Sequence, residues 1–118
     1  MAVKKFEDLI VWQKAQDFAV NIYSSFEHCR DFGFKDQITR ATVSISNNIA
    51  EGFDRSSNLD FSRYLYIALS SNSEVRSMLY LAKRLNYLED DTARLYINHS
   101  NEIGRMIFGL IKSLKTSS

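Results

Sequence analysis

Apolar residues recur at helical spacing through four long stretches of this sequence, and the breaks between the stretches are only a few residues long. A helix repeats every ~3.6 residues, so each stripe marks one face that must be buried. In the first stretch Val11, Ala15, Phe18, Ala19, Ile22, Phe26 and Cys29 share a face. In the second Phe34, Ile38, Ala41, Ile45, Ile49 and Phe53 do. The third runs from Asn58 to about Tyr87, roughly 30 residues or ~45 Å, with Phe61, Tyr64, Leu65, Ala68, Val75, Leu79 and Ala82 on its stripe. The fourth carries Ala93, Tyr96, Ile97, Ser100, Ile103, Gly104, Ile107, Ile111 and Leu114. Thr42 to Ser46 also alternates like a strand, but the helical period continues on both sides and length decides for a helix. Connections this short make neighbouring helices antiparallel. The expected fold is all-α, a single-domain, up-down-up-down four-helix bundle over residues 1–118.

Local signals agree with these boundaries. Asp31 to Gly33 breaks the first pattern, with Gly33 as a turn or cap residue. Ser57 followed by Asp60 resembles a capping box with a shorter acid. Glu89, Asp90 and Asp91 open the fourth helix and Lys112 and Lys115 close it, each sign at the end the helix dipole favours. Proline is absent and glycine occurs four times, which argues against a linker or a Pro-rich tail. No apolar run approaches ~18 residues, so no membrane span is expected, and Met1 to Phe6 runs into Glu7 and Asp8 without the apolar core of a signal peptide. The lone Cys29 excludes an internal disulfide and suits a reducing cytoplasm. Fifteen Lys and Arg against 14 Asp and Glu leave a net charge of +1, so the chain is no polycation, although a local basic patch is compatible with that balance.

The third helix holds more apolar residues than one stripe uses. Tyr66, Ile67, Leu69, Tyr80, Leu81 and Leu85 lie off its main face, as do Leu9, Ile10 and Val20 on the first helix. One small bundle cannot bury every face, so a homo-oligomer is expected, with these residues at subunit contacts.

The most specific string is Ser44-Ile45-Ser46-Asn47-Asn48-Ile49-Ala50-Glu51-Gly52. With it go Val11-Trp12-Gln13-Lys14-Ala15, Tyr23, Gln37-Ile38-Thr39-Arg40-Ala41 and the segment from Phe61 to Ala68. Together, in this order and over essentially the whole chain, they resemble the bacterial four-helix bundle protein family, also called the 23S rRNA intervening-sequence proteins. The resemblance implies a left-handed antiparallel bundle that assembles as a ring-shaped homopentamer. It implies a gene lying in an insertion within large-subunit ribosomal RNA, and no catalytic activity. A related branch, the accessory variability protein of diversity-generating retroelements, is a basic barrel that binds nucleic acid and a reverse transcriptase. Three positions depart from the pattern. Ser46 stands where proline is common, so a kink is not expected; Ser70 replaces a usual glycine; and Asn72 puts an amide on the core stripe of the third helix.

Several groups of residues are candidates for function. Gln37, Ser44, Asn48 and Glu51 form a polar column beside the apolar stripe, within reach of Asn72. The column is either a hydrogen-bonded layer that fixes register or the lining of a site. Thr39, Val43, Ser46 and Ala50 make a flank of short side chains that permits close helix approach, and Gly52 suits a left-handed turn at the helix end. Trp12, at the edge of its stripe, is a core-edge aromatic or, if exposed, a stacking surface for a base. Lys4, Lys5, Lys14, Arg40, Arg55 and Arg63 are the candidates for nucleic-acid contacts, whereas Lys83, Arg84 and Arg105 read as scattered among acids. No metal or other cofactor is expected, because neither His28 nor His99 follows a Glu-x-x spacing and Cys29 has only His28 beside it. Arg94 and His99 have the Arg-x4-His spacing of the HEPN ribonucleases; in that alternative Arg94 holds a phosphate and His99 is the acid or base. The leading expectation is a non-catalytic RNA- or ribonucleoprotein-associated binding or assembly factor, with a protein-only scaffold as the alternative.

Overall fold

The structure is a computed structural model that describes residues 2–116. A short 3-10 turn, Phe6–Asp8, leads into four helices: α1 Ile10–Ser25, α2 Phe32–Phe53, α3 Asn58–Arg84 and α4 Asp90–Thr116. They form a rod of 46 × 20 × 20 Å. Each helix packs on the two beside it, α1 on α2, α2 on α3, α3 on α4 and α4 back on α1. Contacts at both ends of each pair show that they run in opposite directions. Gln16 bonds Ser46 and Phe26 meets Phe34 across α1 and α2. Gln37 bonds Glu74 and Phe53 meets Phe61 across α2 and α3. Asn58 bonds Leu114 and Asn72 bonds Ser100 across α3 and α4, and Lys14 pairs with Glu102 while Ser25 bonds Tyr96 across α1 and α4.

The expected stripes are the core. Phe18 and Ile22 from the first helix, Ile38, Ile45 and Ile49 from the second, Leu65, Val75 and Leu79 from the third, and Ile103, Ile107 and Ile111 from the fourth are all fully buried. Each such side chain contributes about 1.5–3 kcal/mol by leaving water. Short caps set the ends. Asp31 caps α2 by accepting from the Phe34 amide at 3.1 Å. Its second carboxylate oxygen accepts from the Tyr87 hydroxyl at 2.8 Å, and these bonds, Tyr87 first, hold the Asp31 carboxyl below its usual range. Ser57 caps α3 by accepting from Asp60 N at 3.1 Å, as the capping-box spacing predicts.

Several expectations are corrected. Gly33 is no cap: α2 starts one residue earlier and Gly33 sits in its first turn without positive φ. The third helix stops at Arg84 rather than near Tyr87. Asn86 takes a left-handed φ of 62°, and Tyr87 N bonds back to Ala82 O at 2.8 Å. This is the six-to-one closure that glycine usually makes, here made by asparagine. Leu9, expected at a subunit contact, is 6% exposed; the Phe6–Asp8 turn folds the chain start against α1 and α2, which carries Leu9 into the core. Leu69 is partly buried against the core instead of standing free. Ile10, Val20, Tyr66, Ile67, Tyr80 and Leu81 are exposed as expected. Ser46 continues an unbroken α2, donating to Val43 O and accepting from Gln16 of α1.

Gly52 also serves a different purpose from a helix-ending turn. It lies inside α2 with no positive φ, and a Cβ there would sit 2.6 Å from Tyr64 Cβ and 3.0 Å from Phe61 Cδ1. Its missing side chain lets α2 and α3 approach closely here. Replacement Gly52→Ala is expected to cost about 1–3 kcal/mol, overriding alanine's better helix propensity. Gly109→Ala, where no atom lies within 4 Å, is expected to gain about 0.5–1 kcal/mol. Urea unfolding of the two variants checks this; a stabilised Gly52→Ala protein would contradict the close approach.

Candidate nucleic-acid interface

The seam between α3 and α4 is held by a buried polar clasp. Asn72, 1% exposed, donates from Nδ2 to the Ser100 carbonyl at 3.0 Å. Ser100 Oγ donates back to Asn72 Oδ1 at 2.9 Å. The amide that stands on the core stripe is thereby satisfied, and it turns to α4 rather than joining the polar column of α2. Gly104 makes room for it, since a Cβ there would lie 3.1 Å from Asn72 Nδ2. A hydrogen-bonded pair at one level fixes the axial register of the two helices.

That register aligns three cations. Outside the clasp, α3 and α4 border a groove of about 550 Å³ with Arg76, Arg105 and Lys112 among its lining residues. Ser73, Asn101 and Phe108 line it as well, and no carboxylate does. The nearby acids are taken up on other sides. Glu74 accepts from Gln37 of α2 at 3.1 Å. Glu102 pairs with Lys14 of α1 at 2.8 Å, and that bond and charge, with His99 and Arg105 adding smaller contributions, hold the Glu102 carboxyl below its usual range. Near-neutral composition therefore conceals a local bias: three cations and no carboxylate line the α3–α4 groove, although Arg105 still feels Glu102 beside it. Phe108 stands half exposed in the groove, with Lys112 Nζ 5.9 Å from its ring centre.

The six basic residues expected from the sequence to contact nucleic acid are all exposed, but they do not converge. Lys14, Arg40 and Arg55 border three different clefts. Lys14 is paired with Glu102, Arg40 with Asp36 at 3.0 Å, and Arg63 with Asp60 at 3.3 Å. Arg55 bonds the Tyr64 hydroxyl and lies over that ring. Lys4 and Lys5 precede the 3-10 turn. The polar column is divided. Asn48 donates to Ser44, whose Oγ bonds Ser71 Oγ at 2.9 Å, making a half-buried α2–α3 link; Gln37 reaches Glu74, and Glu51 is exposed. Trp12 is half buried, edge-on to Phe6 at 5.2 Å. Arg94 pairs with Asp91, whereas His99 packs edge-on to Phe18 of α1. Five positions along a helix place the two side chains about 140° apart.

Arg76, Arg105, Lys112 and Phe108 were not singled out by reading charge along the chain. Arg105, Phe108 and Lys112 do carry a signal, for their spacing of three and four puts them on one helical face. Arg76 joins them only through the α3–α4 register.

Among the described residues no group of His, Cys, Asp and Glu could hold a metal ion, and no helix is long and apolar enough to cross a membrane. The family described as 23S rRNA-intervening sequence protein matches residues 7–109. A crystal structure of a protein of unknown function from the S23 ribosomal protein family of Bacteroides thetaiotaomicron is 32% identical, with a TM-score of 0.82. The alignment covers 87% of this chain and 99% of that one. No curated protein matches the chain significantly.

Breaking the clasp tests its structural weight. Asn72→Ala leaves the buried Ser100 hydroxyl only its long 3.5 Å bond to the backbone carbonyl of residue 72 and is expected to cost about 1–3 kcal/mol. Adding Ser100→Ala removes that hydroxyl, so the double variant is expected to lose less than the sum of the singles in urea unfolding. Strict additivity would contradict a coupled pair.

Proposed function

The chain belongs to the 23S rRNA-intervening sequence protein family, and on that premise we propose that it is a non-catalytic cytoplasmic protein that grips the phosphate backbone of structured RNA along the α3–α4 groove. The observation that carries this reading is the grouping of Arg76, Arg105 and Lys112 around one groove with no carboxylate in its lining. Cations so placed gain affinity by releasing the counterions condensed on RNA. Arginine adds forked donors that match phosphate oxygens. The separation of Arg94 from His99 on α4 favours binding over the ribonuclease alternative.

Self-association is the second part of the proposal. The outer side of α3 exposes Leu59, Tyr66, Ile67, Tyr80, Leu81 and Leu85, more large apolar surface on one helix than a monomer usually leaves wet. A ring of copies buries such a face and repeats the groove around an axis, which multiplies its avidity for one RNA.

The test is binding of a structured RNA across a salt series, on protein whose mass is fixed by light scattering. A homopentamer of five 13.7 kDa chains is expected; a monomer at all concentrations would contradict the ring. Wild-type binding should weaken steeply with salt. Replacing Arg76, Arg105 and Lys112 by Ala should reduce the slope of log affinity against log salt by about 2–3 and lower affinity at ~50 mM salt at least tenfold. Replacing Lys4, Lys5 and Arg40 should change both less. Absence of binding even at ~50 mM salt would overturn the RNA reading and leave the protein-only scaffold.

A further inference from the structure

We propose that Phe108 is a stacking platform for an unpaired RNA base, so that the groove selects single-stranded or loop segments over paired ones. The proposal rests on the groove reading above and specifies its ligand. Phe108 is 50% exposed although it belongs to the helix with a fully buried stripe. It is absent from the buried core and shares the groove with Leu69 and with polar and cationic residues. Arg105 lies three residues before it and Lys112 four after, a cation on either side along ~10 Å of helix. Lys112 Nζ already sits 5.9 Å from the ring centre. The neighbour Gly109 carries no side chain, and nothing lies within 4 Å of where its Cβ would be, so the space beside the ring is open. Across the groove Ser73 of α3 offers a hydroxyl to a base edge, and Asn101, two turns before Phe108 on α4, offers an amide.

An aromatic face flanked by cations suits one nucleotide unit: base on the ring, phosphates on the charges. A paired base presents its edges and hides its faces in the helical stack, so only an unpaired base can lie on Phe108. A sulfated or phosphorylated polymer without bases would engage the cations and ignore the ring.

The experiment uses the full chain with three probes: an RNA hairpin carrying 2-aminopurine in its loop, the same hairpin with the label in its stem, and heparin. Wild-type protein should change the loop label's fluorescence by stacking and leave the stem label unaltered. Phe108→Leu, at an exposed position that leaves the core intact, should weaken loop-hairpin binding about tenfold and keep heparin affinity. Phe108→Trp should restore hairpin binding and the loop signal. Equal hairpin affinity for wild type and Phe108→Leu, or equal losses toward hairpin and heparin, would overturn the stacking assignment while the cationic groove stands. No binding of any probe by wild type would remove the groove reading, and this inference with it.

Discussion

The α3–α4 seam, and with it the groove outside it, depends on the clasp between Asn72 and Ser100. An amide at the centre of a helix pair is costly to bury unless each of its polar atoms finds a partner. Asn72 finds them only where α4 presents both a hydroxyl and a carbonyl at the same level. Sliding α4 by one turn, ~5.4 Å, would strand the amide. Burial of Leu65, Val75, Ile103 and Ile107 is a non-directional force, and the polar pair adds a directional requirement to it. Gly104 belongs to the same device, because a side chain there would press on the amide.

The register has an electrostatic consequence. Carboxylates and cations are nearly equal in number, and a random placement would pair them everywhere. Here Glu74 turns to α2 and Glu102 to α1, so the groove on the remaining side keeps Arg76, Arg105 and Lys112 without an acid among them. Exposed ion pairs such as Lys14–Glu102 add little stability, about 0–1 kcal/mol. What Lys14 does contribute is a counter-charge to the carboxylate nearest the proposed binding surface.

The fold was legible because helical periodicity is a local property, written within each stretch of 15 to 30 residues. The core followed almost residue for residue, from Val11 to Leu114. What escaped was set by tertiary contact. Gly52 reads as a turn former until Tyr64 is seen above it, and Leu9 reads as a surface residue until the 3-10 turn folds it inward. Asn86 ends α3 in a conformation more often taken by glycine, so the helix seemed to run on. The site was legible only in part. Its α4 half is a single stripe in the sequence, but Arg76 reaches that stripe through the α3–α4 register, and a count of charges along the chain interleaves it with acids that face elsewhere. The same count favoured Lys4, Lys5 and Lys14, which the fold distributes over other surfaces.

The central claim is that RNA lies along α3 and α4 and not on the chain start. Lysine acetylation read by mass spectrometry, with and without saturating structured RNA at low salt, tests it residue by residue. The account predicts that RNA shields Lys112 strongly and leaves Lys4 and Lys5 as reactive as in the free protein. Shielding of Lys4 and Lys5 with Lys112 unchanged would contradict it.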